Sequence, residues 1–73
     1  MTHYKNLGLD SDVESYQIFE NLIKVKFKGT IKIYTYSDKS ATKFHVDNMK
    51  KLAIAGQGLN SYINKYVKFF YDK

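Results

Sequence analysis

With 73 residues, no Cys and a net charge of +5 carried by Lys without a single Arg, the chain is sized for one small domain. That composition excludes disulfides, thiolate nucleophiles and thiolate metal ligands. No apolar run nears the ~18 residues of a membrane span. Met1–Asn6 has no signal-peptide block, so the expectation is a soluble, cytoplasmic domain with no membrane partner.

Residues 1–12 are polar and without periodicity, which predicts a flexible N-terminal segment ahead of a single domain over 13–73. Val13–Phe19 reads as a first strand, and Glu20-Asn21 as its turn. Residues 22–28 alternate, with Ile23, Val25 and Phe27 on one face and Lys24, Lys26 and Lys28 on the other, the period of a half-buried strand. Gly29 supplies a turn, and residues 31–36, rich in β-branched and aromatic side chains, form the third strand. Matching apolar faces sets Phe27 against Ile31, Val25 against Ile33 and Ile23 against Thr35. The opposite face then gathers Lys24, Lys26, Lys32, Tyr34 and Tyr36.

Ser37–Ser40 breaks the pattern, and Ser40 or Thr42 can cap the next helix. That helix is expected to turn His45, Met49, Leu52 and Ala53 inward and to stop at Gly56 in the left-handed region. A second helix follows, with Leu59, Tyr62, Ile63, Tyr66, Val67 and Phe70 as an amphipathic stripe. The predicted class is therefore α+β, a three-stranded antiparallel meander followed by two C-terminal helices (βββαα).

Several segments together resemble the KTSC domain family, named for a segment at the C-terminus of some lysyl-tRNA synthetases. They are Val13-Glu-Ser-Tyr-Gln-Ile18, Phe27-Lys-Gly29, Tyr34-Thr-Tyr36, Met49-Lys-Lys-Leu-Ala-Ile-Ala-Gly56 and Gly58-Leu-Asn-Ser-Tyr-Ile-Asn64. The likeness spans about residues 13–71. The chain departs from the family in lacking Pro at the start of the first helix and in a Phe27-to-Tyr34 spacing one residue longer. The resemblance implies a compact α+β module and no particular biochemical activity.

Charge and aromatic content direct the functional reading. Residues 1–22 carry one Lys and four acids (−3), whereas residues 23–73 carry eleven Lys and three acids (+8). A basic body favours polyanions. On the sheet face of Lys24, Lys26, Lys32, Tyr34 and Tyr36, rings can stack bases while ammonium groups hold phosphates, the chemistry of RNA or single-stranded DNA binding. Lys without Arg also fits a solvated face that keeps a small sheet from edge pairing. A second candidate is an anion site at the helix corner, with Lys50, Lys51, the Gly58 amide, Asn60 and Ser61; turn and cap geometry account for the same residues. A third is a protein-binding patch of Tyr66, Phe69 and Tyr71, of which Phe69 and Tyr71 fall off the inward stripe.

Other chemistries lack their residues. Gly56-Gln-Gly58 follows a helix rather than a strand, the wrong context for a dinucleotide fingerprint. Asp10-Ser-Asp12-Val-Glu14 lacks the glycine and distal Glu of a calcium loop. His3 and His45 are isolated, and His45 reads as a packed, hydrogen-bonded side chain. No catalytic constellation is recognisable, so the expectation is a non-catalytic binding module with no metal and no cofactor. It would take RNA or single-stranded nucleic acid, or alternatively a protein. A small phage- or mobile-element-encoded inhibitor of a host protein has this profile, as does a homo-oligomer that covers its surplus aromatics.

Overall fold

The computed structural model describes residues 1–7 and 12–72. Four antiparallel strands lie in chain order across one sheet: β1 (Thr2–His3), β2 (Val13–Phe19), β3 (Leu22–Phe27) and β4 (Ile33–Ser37). Helix α1 (Lys43–Ala55) packs on β3 and β4. A short α2 (Leu59–Tyr62) runs on into a π-helical segment, Ile63–Val67. The class is α+β as expected, with one strand more than the sequence suggested.

The extra strand comes from the segment read as a flexible lead-in. Thr2 and His3 pair with Tyr16 and Ser15, and the Tyr4 amide extends the ladder to the Glu14 carbonyl. Tyr4 is buried, and its hydroxyl accepts a hydrogen bond from the Leu59 amide at 3.2 Å. Two residues carry too little periodicity to be read as a strand. Burial of one large ring and capture of one helix amide hold the segment down instead. The rest of that segment, 8–11, lies outside the described residues, as do the first two positions of the calcium-loop pattern.

The β2–β3 hairpin forms as read, with Ile18 opposite Ile23 and Tyr16 opposite Val25. The β3–β4 register differs from expectation by one residue: Val25 faces Tyr34, Ile23 faces Tyr36, and Lys26 faces Ile33. A one-residue shift moves every side chain of a strand to the other face. Tyr34 and Tyr36 therefore join Ile23 and Val25 on the core side. Ile33 turns outward, and Ile31 is 94% exposed in the loop before it. The reason is area. An aromatic ring buries 150–250 Å², so seating two tyrosines under the helices gains more than seating Ile31, Ile33 and Thr35. The five-residue connection Lys28–Lys32 absorbs the shift, with Gly29 at φ +78° and Thr30 Oγ1 accepting from the Lys32 amide.

Thr42 caps α1, its hydroxyl accepting from the His45 amide, and Gly56 ends the helix at φ +79° as expected. Val46, Met49 and Ala53 are the buried positions of α1, so Val46 takes the place expected of His45. In the second helix Leu59, Ile63 and Val67 are buried, while Tyr66 and Phe70 are exposed. The expected stripe assumed α-helical geometry. In a π-helix the wider i→i+5 turn keeps positions four apart in line, and Tyr66 and Phe70 rotate out. The core is then Tyr4, Val13, Ile23, Val25, Tyr36, Ala41, Val46, Met49, Ala53, Leu59, Ile63 and Val67.

Candidate functional site

The register divides the predicted nucleic-acid face. Lys24 and Lys26 stay on the outer face of the sheet, where Lys26 is ion-paired with Glu14 and Lys24 lies over the Phe19 ring. That hydrogen bond from Lys26 holds the Glu14 carboxyl below its usual range. Tyr34 and Tyr36 are on the other face with the helices, so they do not share a surface with Lys24 and Lys26.

Around the predicted anion site two donors are already engaged. Lys50 donates to the Glu20 carbonyl at 2.7 Å, at the β2–β3 turn. Gly58, at φ +85°, caps α2, and the Leu59 amide that follows is already bound to Tyr4. Lys51 lies on α1, and Asn60 and Ser61 on a helix start whose leading amide is occupied.

What the structure does bring together is an open groove of about 320 Å³ beside β4. Its floor is Phe27, Tyr34 and Tyr36 from the sheet, and its other wall is Ile63, Asn64, Lys68, Phe69 and Tyr71, with Thr30 at one end. The rings support one another edge-to-face: Phe27–Tyr34 at 5.6 Å, Tyr34–Tyr71 at 4.8 Å and Tyr36–Tyr71 at 6.3 Å between centroids. Such pairs prefer these offset geometries and stabilise each other beyond simple burial. Burial, with the neighbouring Tyr34 and Tyr71, pushes the Tyr36 hydroxyl up to about 12, so it stays neutral.

The wall owes its form to the chain after the π-helix. The Asp72 amide donates to the Thr35 carbonyl at 2.6 Å, and Ser37 Oγ donates to Asp72 Oδ1 at 2.9 Å. Residues 70–72 thus strap the outer edge of β4 and press Tyr71 onto the floor. Tyr71 is half-buried here, not off the packed face as the stripe implied. Phe69, by contrast, is 70% exposed, and Tyr66 is also exposed.

Cations surround these rings. Lys32 Nζ lies 5.1 Å from the Tyr34 centroid, Lys68 Nζ 5.5 Å from Phe69 and Lys65 Nζ 5.2 Å from Tyr66. Three residues of the predicted nucleic-acid face (Lys32, Tyr34, Tyr36) and two of the predicted partner patch (Phe69, Tyr71) therefore meet at one place. Sequence reasoning missed Phe27, Asn64 and Lys68. The signal for the last two was the four-residue spacing Leu59, Ile63, Val67, which carries the 64/68 row along beside it.

A second polar–aromatic cluster lies between the helices. Asn48 Nδ2 donates to Tyr62 Oη at 3.2 Å, and the Tyr62 hydroxyl and His45 Nδ1 are 2.6 Å apart. The His45 ring stacks on Tyr66 at 5.8 Å. His45 is thus a packed, hydrogen-bonded residue. Among the described residues no group of three or more His, Cys, Asp or Glu could hold a metal ion, and no helix is long and apolar enough to cross a membrane.

Fold and site together define a small α+β domain with an aromatic, lysine-rimmed groove. No known protein-family model, curated protein or solved structure matches the chain.

Proposed function

We propose that the protein is a small non-catalytic binding module that takes single-stranded nucleic acid in the groove beside β4. One observation carries the reading: rings alternate with lysine ammonium groups at the groove, as Lys32 over the half-buried Tyr34 and Lys68 over the exposed Phe69. A single strand alternates flat bases with phosphates and calls for that alternation. Protein interfaces, by comparison, deplete Lys from their cores.

The test is titration of labelled single-stranded RNA across salt concentrations. For single strands log K should fall with log[salt] at a slope of about −0.7 per phosphate contact. A few contacts and low sequence preference are expected, since Lys lacks the planar fork of Arg. Absence of binding at ~50 mM salt, where such contacts are strongest, overturns the reading.

The outward-facing Phe44, 71% exposed, together with Phe70 and Tyr66, favours a second reading in which a protein covers the helical side. Binding that tolerates salt and is lost on Phe44 or Phe70 substitution would favour it.

A further inference from the structure

We infer that the groove is the seat of a single nucleotide unit, its base between Phe69 and the Phe27–Tyr34–Tyr71 cluster and its phosphates at Lys32 and Lys68. The inference rests on the nucleic-acid reading above and adds the stoichiometry and the minimal ligand. Three features support it. The first is size: ligand pockets run from about 300 to 1,000 Å³, and a groove of about 320 Å³ lies at the small end, suited to one ring-bearing unit.

The second is the placing of polar groups. Apart from Lys68 and the tyrosine hydroxyls, the polar side chains of the lining are Asn64 and Thr30. An amide and a hydroxyl each offer both donor and acceptor, enough to meet a base edge without demanding one base. The third is charge. Lys68 lines the groove and Lys32 Nζ lies 5.1 Å from the ring of its floor residue Tyr34, two cations against the one Asp72 carboxylate, which accepts from Ser37. A flat ring joined to a phosphate satisfies all three features. The unit can come from a free mononucleotide or from one position of a strand.

The experiment follows amide NMR spectra of the intact chain during titration with uridine monophosphate, inorganic phosphate and a short oligouridine. The expected result is saturable shifts at Asn64, Lys68, Phe69 and Tyr71 with the mononucleotide and, more tightly, with the oligouridine, and far smaller shifts with phosphate alone. Phe69→Ala should weaken both nucleotide ligands by roughly tenfold without lowering the melting temperature, because that ring is exposed. Asn64→Ala, also at an exposed position, should weaken the mononucleotide while leaving the fold intact.

Oligouridine binding with shifts on the outer sheet face around Lys24 and Ile33, or none from the mononucleotide, would overturn the seat while leaving a nucleic-acid module. Equal shifts from phosphate and mononucleotide would overturn it too, since the base would then add nothing. Silence from all three ligands would remove the inference and the proposed function together.

Discussion

The backbone amide of Leu59 donates to the hydroxyl of Tyr4 at 3.2 Å, joining the N-terminal arm to the first residue of the second helix, 55 positions away. The first amides of a helix have no partner within it, and a buried one without a partner costs about 1–3 kcal/mol. Tyr4 supplies that partner from a ring that is itself buried.

Tyr4→Phe removes the hydroxyl and keeps the ring. It should destabilise the domain by about 1–3 kcal/mol, or roughly 4–8 °C in melting temperature per kcal/mol at this size. Thermal unfolding followed by circular dichroism checks it. A melting temperature unchanged from wild type would show that the arm contributes nothing through this bond.

Gly56→Val should destabilise more than a surface change. At φ +79° a β-branched residue is strained by about 1–2 kcal/mol, and a Cβ there would lie 2.7 Å from the Lys5 Cβ. The Gly56 carbonyl also accepts from the Leu7 amide, so the arm cannot move aside without losing that bond. Urea denaturation of the two proteins measures the difference, expected above about 1 kcal/mol.

Tyr36 sets a pH limit. Its hydroxyl is raised from 10.0 to about 12, chiefly by burial, so between those values the folded chain keeps a proton that the unfolded chain releases. Stability should be fully present below pH 10 and fall as pH rises towards about 12, by up to roughly 3 kcal/mol. Ultraviolet titration should find a tyrosine ionising near 12, with unfolding free energy declining over the same window. Tyr36→Phe should remove that part of the decline.

The local features of the sequence translated well and the non-local ones less so. Gly56 as a left-handed stop, Thr42 as a cap and the Ile23/Val25 core face depend on neighbours a few residues away, and the structure has all of them. The β3–β4 register depends on which set of side chains finds deeper cover. Counting apolar residues favoured Ile31 and Ile33, whereas the area of Tyr34 and Tyr36 against Tyr71 decides it. The longer spacing from Phe27 to Tyr34 was the one visible sign. The π-helical turn moved Tyr66 and Phe70 outward and set Asn64 and Lys68 beside the groove. Neither change shows in a 3.6-residue period. The groove therefore had five of its rim and floor residues named from sequence, but divided between two different sites.

The proposed nucleic-acid site is the groove beside β4 and not the outer sheet face. Salt-dependent titration of single-stranded RNA against Lys68→Glu and Lys24→Glu in parallel separates the two. Both substitutions change net charge equally, so any difference between them is local. Lys68→Glu should weaken binding and flatten the log–log slope by about 0.7–1, while Lys24→Glu stays close to wild type. Equal weakening by the two, or a larger loss from Lys24→Glu, would contradict the claim.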